Sequence, residues 1–376
     1  MMGRRLARRL LETSERAGAE AGTSPGAAWP DDGLGLSDAR LLGLATEYHF
    51  GTVAGHFRRA GGPLELRQVA WWGSALADIA CAAAARRRDD DLLADAALFH
   101  LAVALFDQIV DDQPDRSGTL AESVDPSRLR LKLESPGAPG TRLHCVDPEL
   151  DLIVALFDGA LGGIGRRLED EPAWRDEILQ MLEAMYVSEL ALSDDPMVAK
   201  TLPFTLVGHL ALRPGEAAPR ALFQNLAHLL GLWDDWQDLL ADGWALAPNA
   251  HLGPRDPRGT LPRRLRGLAR GLWLTLMGAI PRHEISRCLS GALEATLESA
   301  RPLPGAARQK TVALLLHMLG AFVSPATPGR ARRSSSCCQF RTTLRNGTAA
   351  RPRLGLRTRT CRPSGLTSYG TPDTFR

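Results

Sequence analysis

Apolar residues recur along most of the chain at the three- and four-residue spacing of amphipathic helices. Alternation with a period of two never persists, and β-branched residues are few, so the pattern does not predict strands. Breaks rich in Gly and Pro separate the periodic segments. The pattern therefore predicts an all-α fold with helices at roughly 38–58, 66–86, 90–112, 148–168, 173–193, 197–211, 216–242, 260–278, 283–301 and 305–322.

Three regions fall outside this helical pattern. Residues 1–36 are rich in Ala, Gly and Arg without a stable period, which predicts a disordered leader. Residues 113–147 contain four prolines and are predicted to form a long loop, of a kind that often serves as a lid. Residues 324–376 hold too few apolar side chains for a core and are predicted to form a low-complexity basic tail. One helical domain is thus expected over 37–323.

Charge is divided unevenly along the chain. Residues 324–376 contain eleven Arg and one acidic residue, which leaves 34 basic and 42 acidic residues in 1–323. An acidic body argues against nucleic-acid binding. No uninterrupted apolar run reaches the length of a membrane span, and the Arg-rich N-terminus lacks the apolar part of a secretory signal. We therefore predict a cytoplasmic protein without a membrane span. The six cysteines show no CxxC spacing, so no zinc site is indicated.

A first group of aspartates closes the predicted helix 90–112. Asp107 and Asp111 are four residues apart, which places both carboxylates on one helix face, and Asp112 follows directly. Like charges at this spacing repel each other, and the C-terminal end of a helix disfavours anions. A cation would offset both costs, and carboxylates that share a metal with phosphate are typical magnesium ligands.

A second group of aspartates follows 127 residues later, counted from Asp107 to Asp234. Its members recur at helical spacing at Asp234, Asp235, Asp238 and Asp242. Either group alone could be a solvated acidic helix end. Because each follows a long apolar stretch that we expect inside the fold, we predict that the two groups together bind magnesium and a diphosphate.

Over roughly residues 60–320 the chain resembles the trans-isoprenyl diphosphate synthases, which have the class I isoprenoid synthase fold. The resemblance rests on five segments in the order of the family: His100 ahead of Asp107-Gln108-Ile109-Val110-Asp111-Asp112; Asp115-Arg116-Ser117-Gly118; Lys200-Thr201; Leu230-Gly231 ahead of Asp235, Asp238 and Asp242; and Arg258-Gly259-Thr260-Leu261-Pro262. They look like the first aspartate-rich motif, the RRG after it, a Lys-Thr pair, the second aspartate-rich motif and K-x-TLP. The resemblance implies an all-α bundle, a homodimer and magnesium-dependent chemistry on isoprenoid diphosphates.

The resemblance also implies roles for individual residues. The implied ligands of three Mg²⁺ ions are Asp107, Asp111, Asp112, Asp235, Asp238 and Asp242. The residues implied to hold the allylic diphosphate are Arg116, Lys200, Thr201 and Arg258. The isoprenoid tail is expected along helix 90–112, past Val103 and Ala102 to a floor at Phe99. Aromatic faces stabilise a developing allylic cation, and the candidates are Trp233, Trp236, Phe99 and Phe106. Further polar candidates are His100, Tyr186 and Glu189.

The departures from the family pattern fall mainly on the isopentenyl diphosphate site. Ser117 replaces the second Arg of RRG, and Pro63 stands at the Lys position of GGKxxRP, where only Arg67 is kept. A diphosphate needs several cationic donors, so this pocket loses its ligand, whereas Arg116 and Lys200 remain for the allylic diphosphate. We therefore predict a class I terpene synthase that ionises geranylgeranyl or farnesyl diphosphate and releases a cyclised or deprotonated terpene.

Three alternatives remain open at this stage. A chain-elongating prenyltransferase is supported by Arg67 and His100. A non-catalytic partner subunit would have lost the acids of both motifs, whereas this chain loses only part of each, at Gln108 and Leu239. A head-to-head condensing enzyme would explain the paired DxxxD spacing but not the Lys200-Thr201 pair.

Overall fold

The protein is described by a computed structural model over residues 3–20, 34–57, 62–191, 196–246, 249–253, 260–278 and 280–323. Its helices are α1 Gly3–Glu20, α2 Asp38–Glu47, α3 Phe50–His56, α4 Pro63–Ala83, α5 Asp90–Asp112, α6 Pro114–Ser123, α7 Pro126–Glu134, α8 Pro148–Arg167, α9 Pro172–Ala191, α10 Pro196–His209, α11 Ala217–Gln237, α12 Leu239–Ala245, α13 Leu261–Met277, α14 Glu284–Ala300 and α15 Gly305–Val323. Within the described ranges, β-structure is limited to one isolated bridge between Asn249 and Gly253. The predicted all-α class is confirmed.

The predicted long loop at 113–147 is wrong over most of its length, because it contains α6 and α7. Pro114 and Pro126 occupy the first positions of these helices, where no amide hydrogen is needed and a fixed φ favours the helix. The carboxylate of Asp125 caps α7 by accepting from the backbone N–H of Ser127 and Arg128. Prolines, which often mark loops, therefore start helices here.

The predicted disordered leader is also wrong for residues 3–20, which form α1. Leu6, Ala7 and Leu10 are fully or almost fully buried, and α1 packs against α15 and α14. Arg9 donates a 3.0 Å hydrogen bond to the Ser286 hydroxyl on α14. The apolar positions of α1 are few, so the sequence alone shows only a weak apolar stripe. Packing of this stripe against α15 and α14 stabilises the helix. Residues 21–33 lie outside the described residues.

Two predicted helices are each divided in two. The segment predicted at 38–58 breaks at His49, whose φ of 52° is left-handed, and forms α2 and α3. The segment predicted at 216–242 breaks at Asp238, where φ is −89° and ψ is 3°, and forms α11 and α12. The break falls inside the second aspartate group, so its side chains do not share one continuous helix.

The helix that carries the first aspartate group lies in the middle of the fold. α5 packs against α4 and α8, while α10 packs against α11 and α9. On length and composition, Asp90–Val110 could cross a membrane, contrary to the expectation of no such stretch. In this fold 78% of its most apolar window is buried, as in a core helix. The predicted basic tail, 324–376, lies outside the described residues.

Candidate metal and diphosphate site

Lys200 on α10 is the cation at the centre of the candidate site. Its Nζ donates a 3.0 Å hydrogen bond to Oδ2 of Asp234 on α11, and the two side chains are 22% and 19% exposed. The neighbouring Thr201 hydroxyl donates to the Met197 carbonyl within α10 at 2.8 Å. The Lys-Thr pair of the sequence is therefore placed directly against the second aspartate group.

Gly231 explains how α10 and α11 approach each other at this point. A Cβ at Gly231 would lie 3.3 Å from Cβ of Lys200 and 3.3 Å from Cγ2 of Thr201. These contacts are tighter than ordinary van der Waals packing, so a glycine allows the Lys200 backbone to come close to α11. Gly231 thus allows α10 and α11 to pack closely at Lys200 and Thr201.

The acids at the α11–α12 junction are buried and only partly hydrogen-bonded. Asp235 is 0% exposed, Asp242 is 1% exposed and Asp238 is 6% exposed. Asn249 donates from Nδ2 to Oδ2 of Asp242 at 2.9 Å and to the Asp235 carbonyl at 2.7 Å. The Ala250 N–H donates to Oδ2 of Asp235 at 2.6 Å. Oδ1 of Asp235 is buried without a hydrogen-bond partner among the described residues.

Sequence reasoning missed Asn249, which holds two of the buried acids in place. It lies after α12 in a stretch without periodicity, and its burial is complete. An asparagine between helices is ordinarily interpreted as a turn residue. Only its contacts with Asp242 and Asp235 reveal its position in the site.

Burial makes the carboxylates of this junction hard to ionise. It raises the pKa of Asp235 to about 6 and that of Asp242 to about 7, although Lys200 opposes both shifts. Burial, followed by repulsion from Asp234 and Asp242, raises the pKa of Asp238 to about 9. At neutral pH the Asp238 carboxyl is therefore mainly protonated, and full ionisation of all three acids would require an additional cation.

Both aspartate groups act electrostatically on Lys200. Burial by itself lowers the pKa of Lys200, but the charges of Asp234, Asp107, Asp235 and Asp242 raise it well above its ordinary value. Asp107, which is half-buried on α5, thus acts on the same ammonium group as the acids of α11 and α12. Residues 127 positions apart in sequence converge on one cation.

The rest of the first group is described in part. The α5 backbone continues to Asp112, whereas the side chains of Asp111 and Asp112 lie outside the described residues. Gln108 is buried, and its Oε1 has no hydrogen-bond partner among the described residues. The glutamine that departs from the family motif therefore presents an unsatisfied acceptor beside Asp107.

Among the described side chains, Arg116 pairs with acids that lie outside the two aspartate groups. Its guanidinium donates to Asp147 at 2.6 Å and contacts Glu149 at 2.9 Å, both at the start of α8. These carboxylates raise its pKa against the opposing effect of burial. The predicted role at the diphosphate would require Arg116 to leave them. Arg258 lies outside the described residues, as does the side chain of Glu189.

The residues expected along the isoprenoid tail are packed in the core. Phe99 and Ala102 are 0% exposed and Val103 is 4% exposed. The Phe99 ring lies edge-on to Phe157 with centroids 6.1 Å apart. A tail pocket along α5 would therefore require these side chains to separate.

The remaining aromatic and polar candidates lie in the core or, like Tyr186, are packed against it. Trp233 is 1% exposed and lies 5.0 Å from the Trp236 ring. The Tyr186 hydroxyl donates to the Ala121 carbonyl at 3.1 Å. Burial lowers the pKa of His100 to about 4, which keeps its imidazole neutral at neutral pH. Core packing accounts for each of these placements.

The donor set suits a hard divalent cation in chemistry and in charge. Five carboxylates, at Asp107, Asp234, Asp235, Asp238 and Asp242, have Lys200 as their shared cationic neighbour. Carboxylate oxygens are the ligands that magnesium takes, and Oδ1 of Asp235 is an unused acceptor. Among the described residues, however, no three acidic, His or Cys side chains are close enough to hold one ion. A preassembled single-ion site is thus not present in the described part of the chain.

Comparison of the chain with family models, curated proteins and solved structures found no match. The resemblance to the isoprenoid synthases therefore rests only on the motif residues and their order.

Proposed function

We propose that this chain is a magnesium-dependent class I terpene synthase with the isoprenoid synthase fold. It would ionise geranylgeranyl or farnesyl diphosphate and release diphosphate with a cyclised or deprotonated terpene. The observation that supports this proposal is that the charges of Asp107 and of the α11–α12 acids act on one ammonium group, that of Lys200. Several carboxylates around one ammonium group repel one another, which costs folding free energy. Metal ions bound together with an anion would offset this repulsion.

Lys200 is the proposed donor to the leaving diphosphate. Its ammonium group is charged at neutral pH because the surrounding carboxylates raise its pKa. Asp234 holds this group at 3.0 Å, so a diphosphate oxygen would share or replace an existing hydrogen bond. The positive charge favours the diphosphate more as its bond to the isoprenoid carbon breaks and negative charge accumulates on it.

The aspartates are the proposed ligands of the metal ions. Asp107 from α5 and Asp235, Asp238 and Asp242 from the α11–α12 junction would hold three Mg²⁺ ions, together with the Asp111 and Asp112 carboxylates of the first motif. When bound, Mg²⁺ acts as a Lewis acid on the leaving diphosphate. Ionised carboxylates are required for this, and the raised pKa values of Asp238 and Asp242 make binding stronger as pH increases.

A second candidate function is a non-catalytic partner subunit. It is favoured by the pairing of Arg116 with Asp147 and Glu149, since this arginine is thereby withheld from a diphosphate. A partner subunit would keep the helical scaffold and bind neither metal nor substrate productively.

One assay separates these functions. Purified protein is incubated with Mg²⁺ and geranyl, farnesyl or geranylgeranyl diphosphate, with and without isopentenyl diphosphate. Released diphosphate is quantified, and organic extracts are analysed by mass spectrometry. A terpene synthase forms a hydrocarbon or terpene alcohol without isopentenyl diphosphate. Longer prenyl diphosphates that require isopentenyl diphosphate would indicate a prenyltransferase, and the absence of diphosphate release would favour the partner subunit.

A matched pair of variants links the activity to the site. Asp238→Asn removes a buried acid of the α11–α12 junction, whereas Asp170→Asn changes an exposed acid elsewhere on the surface. We expect Asp238→Asn to abolish diphosphate release and Asp170→Asn to retain it. Equal activity of the two variants would remove the basis of the proposed metal site.

A further inference from the structure

Helix α13 packs on the fold through glycines. A Cβ on Gly267 would lie 2.0 Å from the carbonyl oxygen of Gly243, and a Cβ on Gly271 would lie 2.3 Å from that of Leu239. The backbones of α12 and α13 are therefore in direct contact, and Leu274 completes the buried face of α13. Apart from Leu274, the large apolar side chains of α13 lie mainly on its other faces.

Those side chains form a stripe that faces solvent. Leu261, Leu265, Leu272 and Leu276 are 61%, 52%, 51% and 38% exposed. At 3.6 residues per turn, these positions fall within an arc of about 60°. Trp273, which is 51% exposed, lies beside them. The apolar face of this amphipathic helix is thus directed outward, opposite to the arrangement of an ordinary surface helix.

The same helix is strongly basic. It contains four arginines, at 263, 264, 266 and 270, and no acidic residue. Arg266 and Arg270 are exposed on the polar side of the helix, about 80° and 120° around from Leu276, and neither forms an ion pair with a described residue. Exposed Leu and Trp side chains on one side of a helix, with arginines on its polar side, are the composition of a helix that lies in a membrane interface.

We propose that the outward face of α13 docks on a membrane surface that contains anionic lipids. The leucine stripe would enter the boundary between headgroups and acyl chains, and Arg266 and Arg270 would contact lipid phosphates. Trp273 has the amphipathic ring that is typical of this interface. The proposal is independent of the proposed enzymatic function, and binding can be measured without turnover.

Charge favours a membrane over the other occupants of this face. A second copy of the chain would bring four arginines against four arginines when two α13 helices meet. The chain's own residues 324–376 contain eleven Arg and one acid, so they too would repel this helix. An anionic lipid surface, by contrast, complements the charge and accepts the apolar stripe.

The test is cosedimentation of the full chain with vesicles of phosphatidylcholine, or of phosphatidylcholine mixed with phosphatidylglycerol. The basic residues of 324–376 would also attract anionic vesicles, so the apolar stripe supplies the decisive variant. Leu265→Gln/Leu272→Gln is compared with Leu42→Gln/Leu131→Gln, whose leucines are 56% and 49% exposed on α2 and α7. We expect the stripe variant to bind mixed vesicles about tenfold or more weakly than the control variant.

A second pair of variants tests the charges. Arg266→Gln/Arg270→Gln should weaken binding to mixed vesicles roughly 30-fold. Arg87→Gln/Arg142→Gln, which removes two exposed arginines from other surfaces, should have a much smaller effect. Far-ultraviolet circular dichroism confirms that all four variants are folded.

Two results would overturn the proposal. Equal vesicle binding by the stripe variant and by its leucine control would show that α13 does not enter the membrane. A dimer in light scattering that Leu265→Gln/Leu272→Gln converts to monomer would assign the stripe to a second copy instead.

Discussion

Lys200 on α10 donates from Nζ to Oδ2 of Asp234 on α11 at 3.0 Å, and this ion pair joins α10 to the second aspartate group. The chain contains only three lysines. The other two also pair with aspartates: Lys132 with Asp158 at 2.7 Å, and Lys310 with the buried Asp78. Lys200 differs because several further carboxylates act on the same ammonium group.

The first prediction concerns this ion pair. Lys200→Met should lower the free energy of unfolding by about 2–4 kcal/mol, because it leaves Asp234 and its neighbours without their nearby cation. Urea unfolding at neutral pH without divalent cations measures the effect. Adding Asp234→Asn to Lys200→Met should restore part of the loss. A Lys200→Met variant as stable as the parent would contradict the electrostatic role given to this lysine.

The second prediction concerns pH. Because folding raises the pKa of Asp238 to about 9, the folded state retains a proton that the unfolded state releases near pH 4. This proton stabilises the fold fully below pH 4, and the stabilisation is lost as pH rises from about 4 to 9. Asp238→Asn should therefore gain about 1–3 kcal/mol over the parent at pH 9 and little at pH 4. Urea unfolding with a chelator present gives both values, and a difference independent of pH would contradict the assignment.

The third prediction concerns catalysis. Asp107→Ala, Asp111→Ala and Asp238→Ala should each lower turnover by at least about a hundredfold while the protein remains folded. Each removes a proposed metal ligand, so added Mg²⁺ should restore little activity. Asp170→Ala is the control, since this acid is exposed and distant from the motifs in sequence. Full activity in any two of the three variants would refute the assigned metal ligands.

The fourth prediction concerns the side chains along α5. Val103→Phe and Ala102→Phe add a ring beside the proposed tail and should shift preference toward shorter prenyl diphosphates. Phe99→Ala should relax the upper limit. Because all three side chains are buried, the variants should also lose stability, by about 1–3 kcal/mol for the first two and 3–5 kcal/mol for Phe99→Ala. Relative rates on geranyl, farnesyl and geranylgeranyl diphosphate separate the two effects, and an unchanged ranking would show that α5 does not line the tail.

The fifth prediction concerns α1. Leu10→Ala should cost about 2–3 kcal/mol of unfolding free energy, because the side chain is buried between α1 and its neighbours. Glu12→Ala, on the exposed face of the same helix, should change the stability by less than about 0.5 kcal/mol. A disordered leader would tolerate both substitutions equally, so the difference between them distinguishes the two descriptions of residues 3–20.

The sequence by itself determined the features that depend on neighbouring residues. The bounds of α5 agree with the segment predicted from periodicity, since a helical stripe repeats within one turn. The sequence likewise determined that Asp107 and the acids from Asp234 to Asp242 are the candidates for chemistry. These inferences require only local spacing and the cost of like charges on one helix.

The tertiary structure alone decided which distant groups meet. It placed Asn249 on Asp242, paired Arg116 with Asp147 and divided the second aspartate group at Asp238. It also turned the leucine stripe of α13 outward, because Gly267 and Gly271 allow the backbones of α12 and α13 to touch. Each outcome depends on a partner far away in sequence or on close backbone packing, and helical periodicity carries no information about either.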